Sequence, residues 1–308
     1  MKFTTTLLAS SAIIGAGTLA FADAHADMAK EMTLVSWGGA YQASQDKAYL
    51  QPYLEMHPEL SAVWDESSNE AVAKLRAMNE AGNVTWDLVD VVAADAIRLC
   101  DEGLAMEIDA DEMLAEAPDG TSAEDDFGDL LVSDCFIPQI VYSTTFGYRT
   151  DMVGDTPPTK ICDVFDTEAY PGKRALEKRP INNMEWALLC DGVAKDEVYD
   201  VLATPEGQEQ ALAKLDTIKD DVIWWSAGAD TPQLLADGEV VMGSTYNGRL
   251  FSVIEEQDQP VAMLWDAQVF DLDGWIIPAG LPDDRLARVK DFVKFATDTQ
   301  RLADQSQY

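Results

Sequence analysis

Short apolar runs alternate with amphipathic segments along the first third of the chain. Residues 32–37 and 87–92 are dominated by aliphatic side chains, as strands covered on both faces are. The segments that follow place apolar residues at helical spacing, for example Val72, Leu75 and Met78. Strands that alternate with helices favour a parallel sheet with helices on both faces, which is an α/β fold.

Polar and aromatic residues follow the carboxyl ends of these predicted strands. Trp37 closes the first strand, Glu66 lies in the loop after the second, and Asp95 begins the segment after the third. Ligands of open α/β sheets bind at such ends, so all three are candidate ligand-binding residues. The alternatives are a core aromatic for Trp37, an ordinary loop residue for Glu66 and a helix cap for Asp95.

An extended segment over residues 136–148 is longer than the other predicted strands. A strand of this length favours a crossing between two domains. The chain of 308 residues is long enough for two domains of ordinary size.

Two carboxylates interrupt a predicted strand near the end of the chain. Asp271 and Asp273 project from one face, roughly 6–7 Å apart, because alternate strand residues share a face. The pattern predicts either an exposed strand end or the anionic wall of a cleft for a cationic group, since unpaired buried carboxylates are costly. Tyr246 and Trp275 could offer ring faces to the cation, and Arg249 could bind a carboxylate.

Three further candidates lie in the second half of the chain. Glu185 is in the first turn of a predicted helix over residues 183–190, where the helix dipole alone also favours an acid. Trp225 ends a predicted strand over residues 222–225, and Ser226 follows it. Ser226 could instead cap the next helix.

The charge of the chain excludes one class of partner. The formal net charge is -35, with 56 acidic and 21 basic residues. Nucleic acid is not expected as a partner, because its binding requires lysine and arginine to displace counterions. The acids are spread over the whole sequence, which suits a hydrated surface better than a trap for cationic ligands.

The N-terminus predicts export. A positive Lys2 precedes an apolar stretch over residues 7–19, and small residues such as Ala24 and Ala26 then recur at cleavage spacing. This order is typical of a secretory signal peptide over residues 1–26, with a buried N-terminal helix as the alternative. A periplasmic location follows from this interpretation, and no later apolar stretch is long enough to span a membrane.

The four cysteines lie in the predicted mature part of the chain, at positions 100, 135, 162 and 190. An even number in an oxidising compartment favours disulfides, although three pairings are possible and free buried thiols remain an alternative. The spacings match no zinc-ligand pattern, and no metal or other cofactor is predicted.

Several short motifs follow one another along the mature chain. They are Ser36-Trp37, Ser68-Asn69-Glu70, Asp87-Leu88-Val89, Glu102-Gly103-Leu104, Asp237-Gly238-Glu239-Val240, Asn247-Gly248, and Asp273 with Ile277-Pro278-Ala279. In this order the chain resembles the spermidine/putrescine-binding proteins of bacterial ABC importers. The resemblance implies the α/β fold of type II periplasmic binding proteins, in which hinge-crossing strands join two lobes around a ligand cleft.

The resemblance also implies boundaries. Residues 27–141 together with 269–308 would form lobe 1, and residues 142–268 would form lobe 2. The crossings would fall near residues 139–146 and 268–273. On the same resemblance, a disulfide between Cys100 and Cys135 is preferred.

Some candidate residues match the family position by position. Trp37 corresponds to a cleft aromatic and Asp273 to an acid that pairs with a ligand ammonium. Tyr246 stands where polyamine binders place a tryptophan. Polar contacts expected after the third strand are replaced by Val92 and Ala94.

Arg249 is the most informative departure, because a small residue is expected there. An arginine suits a ligand that carries a carboxylate as well as an amine, such as the amino acid GABA. The implied function is delivery of a small amine-containing solute, a polyamine or an amino acid, to an ABC permease in the inner membrane. The protein is expected to be a monomer and not an enzyme.

Two alternatives to this function remain open. A secreted hydrolase could use Asp271 and Asp273 as acid and base, but acids two apart on one strand lie side by side instead of across a bond. A ferric-ion-binding relative of the same fold would favour tyrosine ligands, and no adjacent tyrosine pair occurs.

Overall fold

The computed structural model describes residues 28–308, so the predicted signal peptide over residues 1–26 lies outside the described part. Its eight strands are β1 (Glu31–Val35), β2 (Ser61–Asp65), β3 (Leu88–Val92), β4 (Ile137–Arg149), β5 (Arg174–Glu177), β6 (Val222–Trp225), β7 (Met242–Tyr246) and β8 (Val261–Ile276). None of the helices within residues 28–308 is both long and apolar enough to cross a membrane.

The helices pack on both faces of the sheet. Those of the first and last parts of the chain are α1 (Gly39–Gln45), α2 (Gln51–Met56), α3 (Ala71–Glu80), α4 (Ala93–Asp101), α5 (Ala110–Met113), α6 (Ala123–Phe127), α12 (Asp283–Ala296) and α13 (Thr299–Gln305). Those of the middle part are α7 (Asn183–Cys190), α8 (Val198–Leu202), α9 (Pro205–Asp216), α10 (Asp230–Ala236) and α11 (Asn247–Phe251). One turn of π-helix, Asp46–Leu50, joins α1 to α2.

The strands form one mixed sheet in the order β2-β1-β3-β8-β4-β7-β5-β6. At one end of the sheet, β1 lies between β2 and β3 and runs parallel to both. At the other end, β5 lies between β6 and β7 and runs parallel to both. The central strands β4 and β8 run antiparallel to each other and to their outer neighbours. Each of these three-stranded parallel groups therefore belongs to one lobe, and the strands β4 and β8 run through both lobes.

The long pair β4 and β8 is the connection that the extended sequence segment predicted. Tyr142 pairs with Asp271, and Ile140 pairs with Asp273, at the middle of this ribbon. The register shifts between Pro138 and Ile140 and again between Thr144 and Phe146. Such irregularities bend a strand and increase its local twist.

Separate apolar cores lie on either side of the ribbon. In lobe 1, Trp275 packs edge-on against Tyr49 and also contacts Phe292. In lobe 2, Phe146 packs against Trp186. The fold thus consists of two α/β lobes, while the lobe boundaries at residues 141/142 and 268/269 stay a prediction.

Each lobe contains one disulfide. Cys100 at the end of α4 is bonded to Cys135 just before β4, as the resemblance implied. Cys162 is bonded to Cys190 at the end of α7. All four cysteines are paired, so the alternative of buried free thiols is wrong.

Candidate functional site

A cleft of about 720 Å³ lies between the two lobes, with the β4–β8 ribbon as its floor. Lobe 1 contributes the turn after β1 and the starts of α1 and α4. Lobe 2 contributes the ends of β5, β6 and β7 and the start of α11. The polar and aromatic side chains of the wall include Trp37, Tyr41, Asp95, Tyr142, Glu177, Arg179, Trp225, Ser226, Tyr246, Arg249, Trp265, Asp271 and Asp273.

Two buried aspartates form the acidic end of the cleft. Asp273 on β8 lines the cleft but is only 7% exposed, and Asp90 on β3 is buried behind it. The two residues lie on the same face of the paired strands β3 and β8, where Trp275 opposes Asp90 and Val92 opposes Asp273, and each carboxyl group shifts the pKa of the other. Oδ1 of Asp273 has no N–H or hydroxyl donor among the described residues.

Asp90 is held in place by three donors from lobe 1. The indole Nε1 of Trp37 donates to Oδ1 over 3.2 Å, and the hydroxyl of Tyr41 donates to Oδ2 over 3.0 Å. The amide of Gln45 also donates to Oδ2. Trp37 is thus fixed by a hydrogen bond while its ring lines the cleft.

The pKa of both carboxyl groups is raised. Burial raises the pKa of Asp90 to about 7, although the hydrogen bonds that it accepts act in the opposite direction. Burial raises the pKa of Asp273 well above its usual range, and the neighbouring charge of Asp90 raises it further. Both shifts favour the protonated form, because two ionised carboxylates in one buried place repel each other.

Asp271 lies beside this pair on the same strand face, as the strand period predicted. Its carboxylate accepts a hydrogen bond from the hydroxyl of Tyr142 over 3.3 Å. The ring of Tyr142 meets that of Tyr246 edge-on, with centroids 5.5 Å apart. An aromatic wall thus runs from the acids on the floor into lobe 2.

Arg249 lies on the lobe 2 wall of the cleft and forms its basic end. Its guanidinium lies 5.9 Å from the centre of the Tyr246 ring and forms no ion pair or hydrogen bond with any of residues 28–308. Burial lowers the pKa of Arg249, as expected for a cation that has lost water without gaining a carboxylate. The indole N–H of Trp225, also on the cleft wall, is buried without an acceptor among the described residues. This end of the cleft therefore presents a guanidinium without a carboxylate partner.

The backbone around Arg249 explains its position. The side chain of Asn247, at the start of α11, accepts a hydrogen bond from the backbone N–H of Ser143 over 2.9 Å. This contact ties α11 to the ribbon strand β4. Arg249, two residues further on, is consequently held above the floor of the cleft.

Eight of the eleven predicted ligand-binding residues lie on the cleft wall. They are Trp37, Asp95, Trp225, Ser226, Tyr246, Arg249, Asp271 and Asp273. The structure thus brings the three charged residues Arg249, Asp271 and Asp273 into one gap with Trp37. Whether each contacts a ligand stays a prediction.

Three predicted residues are not on the wall. Trp275 is 1% exposed and lies in the core of lobe 1, because β8 has entered that lobe at this point. Glu66 is exposed beside the turn at Gly38, where its carboxylate accepts from Gln42. Glu185 lies in the first turn of α7, and burial raises its pKa.

Sequence reasoning missed several residues of the wall and the layer behind it. Asp90 could have been found, since a lone acid within the apolar strand Leu88–Val92 is costly to bury without a role. Tyr41, Gln139 and Glu177 carried no comparable signal, because polar residues at these places are equally common on a surface.

The chain matches known proteins in both sequence and fold. The family described as bacterial extracellular solute-binding protein matches residues 48–308. The gamma-aminobutyric acid-binding protein of Pseudomonas aeruginosa is 37% identical over 282 residues, which cover 92% of this chain and 76% of that protein.

Two solved structures are similar over most of the chain. The PBP MotA of A. tumefaciens B6, in complex with glucopine, has a TM-score of 0.78 at 31% identity and matches 90% of this chain and 81% of its own. A GABA receptor structure has a TM-score of 0.74 at 32% identity and matches 90% of this chain and 80% of its own. In both cases the match includes both lobes and the ribbon between them.

Proposed function

This chain belongs to the bacterial extracellular solute-binding proteins, and from this premise we propose that its ligand is a zwitterionic amino acid whose amine and carboxylate are far apart, such as GABA. The fold is the predicted two-lobed type II periplasmic binding protein fold. The protein is a solute-binding component of an ABC importer, and this function is favoured over the hydrolase and ferric-ion alternatives.

The proposal rests on one observation: two unpaired charged groups of opposite sign, Asp273 and Arg249, line the same cleft. Arg249 and Asp273 both line the cleft, and neither has an oppositely charged partner among the described residues. The ring of Tyr246 lies beside the guanidinium, 5.9 Å from its centre, and also lines the cleft. A ligand with an ammonium at one end and a carboxylate at the other would satisfy both groups.

Arg249 argues against a polyamine as the best ligand. A diamine placed with one ammonium at Asp273 would bring its second ammonium toward the guanidinium, and like charges in a partly desolvated cleft repel each other. The GABA-binding names of two relatives agree with a carboxylate at this end.

Titration calorimetry with a matched set of ligands tests the proposal. The set is 4-aminobutyrate, putrescine, n-butylamine and butyrate, which share a four-carbon chain and differ only in their end groups. We expect 4-aminobutyrate to bind at least tenfold more tightly than each of the other three.

Each ligand of the set isolates one interaction. Butyrate lacks the amine for Asp273, n-butylamine lacks the carboxylate for Arg249, and putrescine replaces that carboxylate with a cation. Tighter binding of putrescine than of 4-aminobutyrate would overturn the amino-acid assignment and restore the polyamine one.

The remaining steps of transport are also part of the proposal. Closure of residues 142–268 onto residues 27–141 with 269–308 would bury the ligand, and the closed form would dock on a permease of the inner membrane. Residues 1–26 would direct export, which would place the mature protein in the periplasm.

A further inference from the structure

Asp90 does not line the cleft, yet it determines the charge of Asp273, which does line it. The carboxyl group of Asp90 is buried and receives hydrogen bonds from Trp37, Tyr41 and Gln45. The carboxyl group of Asp273 lies on the same face of the neighbouring strand β8, because Val92 opposes Asp273 and Asp90 opposes Trp275. A hydrogen bond between two carboxyl groups needs one proton, because an ionised carboxylate can only accept.

The groups that face this pair offer no compensating cation within the described part of the chain. They are Trp37, Tyr41, Gln45 and Tyr49 from the helix side of lobe 1, Gln139 and Tyr142 from β4, Asp271 from β8 and Tyr246 from β7. Asp271 adds a further negative charge on the same strand face. Two ionised carboxylates here would therefore repel each other in a buried, weakly screened place.

We propose that Asp90 and Asp273 share one proton in the ligand-free protein, and that the ammonium group of a bound ligand displaces it. The inference rests on the proposed amine-containing ligand and extends it to a residue that the ligand does not touch. Asp90 is a positioning residue in this proposal, because it acts through the charge of Asp273.

Charge and protons are conserved in this exchange. Before binding, the pair carries one negative charge and one proton on the oxygen between the two groups. The ligand ammonium donates a hydrogen bond to the cleft-facing edge of the Asp273 carboxyl group, the shared proton leaves to water, and the pair then carries two negative charges. Binding of the amine thus releases one proton, and affinity falls about tenfold for each pH unit below the range in which the pair ionises.

The number of protons released can be measured on the unaltered protein. Calorimetry with 4-aminobutyrate is repeated near pH 6 in buffers of different ionisation enthalpy, and the slope of the observed enthalpy gives the proton count. We expect a release of about one proton, as the linkage of a shared proton to ligand binding requires. Binding with no proton exchange would overturn the shared proton and leave the amino-acid assignment intact.

The Asp90→Asn variant locates the proton. The side-chain amide introduced by this substitution would donate its own hydrogen to Asp273, which would then be ionised before the ligand arrives. We expect binding with little proton release and a flat dependence of affinity on pH between 5 and 8. The control is Asp101→Asn, the same change of charge at the exposed end of α4, which should release as many protons as the unaltered protein.

Infrared spectroscopy of the ligand-free protein tests the pair without any ligand. The unaltered protein near pH 6 should show the C=O stretch of a protonated carboxylic acid, and Asp90→Asn should lose it. Absence of that band from the unaltered protein would overturn the shared proton. Failure of all four ligands to bind would instead overturn the proposed amino-acid function, so the two failures are distinguishable.

Discussion

The guanidinium of Arg249 in lobe 2 lies against Gly39 in lobe 1. A Cβ atom added to Gly39 would stand 2.9 Å from Nη1 of Arg249. The contact is made across the mouth of the cleft, because Gly39 begins α1 and Arg249 lies in α11. The absence of a side chain at position 39 thus permits the close approach of the two lobes at the basic end.

Replacement of Gly39 by alanine is expected to weaken binding of 4-aminobutyrate about tenfold. Gly39 has φ of +61°, so alanine is strained there, and its Cβ would also displace the guanidinium. Titration calorimetry measures the loss of affinity. The matched control is Gly82→Ala, where φ is +63° and nothing lies within 4 Å of the added Cβ. Equal loss of affinity in both variants would show that strain alone, and not the contact with Arg249, is responsible.

Replacement of Arg249 by glutamine is expected to change ligand preference as well as affinity. Loss of a charged, hydrogen-bonded partner for the carboxylate should weaken 4-aminobutyrate by about 2–3 kcal/mol, which is roughly 30- to 150-fold. Putrescine should bind the variant more tightly than the unaltered protein, since a repulsive cation is removed. Competition calorimetry with both ligands measures the change.

A surface arginine provides the control for that variant. Arg98→Gln removes an exposed guanidinium that pairs with Glu102 in lobe 1, away from the cleft wall. It should leave the affinity for both ligands unchanged. Unaltered preference in Arg249→Gln would show that another group receives the carboxylate.

The order of elements could be predicted from the sequence because it depends on local patterns. The apolar strand that ends at Trp37 and the acids of β8 have spacings that fix which side chains share a face. The extended segment before Tyr148 likewise predicted the crossing strand β4. These local features are sufficient to place Asp273 and Trp37 at the centre of the site.

The remaining features depend on which strands become neighbours. Trp275 has the same strand phase as Asp273, yet it faces the core, because β8 passes from the hinge into lobe 1 between them. Asp90 belongs to the site only because β3 and β8 are adjacent and antiparallel. Without knowledge of this strand pairing, the sequence pattern assigns Trp275 to the cleft and treats Asp90 as an ordinary strand residue.

Loss of either disulfide should destabilise the protein without abolishing binding. Each disulfide lies in one lobe, and neither contributes to the cleft wall. Loops of 35 and 28 residues correspond to a loss of about 3–4 kcal/mol in the free energy of unfolding. Paired cysteine-to-serine variants, compared by urea denaturation and by titration with 4-aminobutyrate, measure both quantities. A tenfold loss of affinity at a temperature where the variant is folded would contradict this separation of stability and binding.

The shared proton also predicts how the stability of the ligand-free protein depends on pH. The pKa of Asp90 and of Asp273 is raised in the folded state, so between about pH 4 and 7 the native pair holds a proton that the unfolded chain has lost. The contribution of the pair is therefore fully present at low pH and is lost as the pH rises. Relative to the unaltered protein, Asp90→Asn should gain about 2–3 kcal/mol in the free energy of unfolding between pH 5 and 8. Urea denaturation at each pH gives the free energy of unfolding of both proteins. The effect of the surface acids is the same in both and cancels in the difference. The free energy of unfolding of the control Asp101→Asn should depend on pH in the same way as that of the unaltered protein. The same dependence in Asp90→Asn would mean that the two buried carboxyl groups ionise independently.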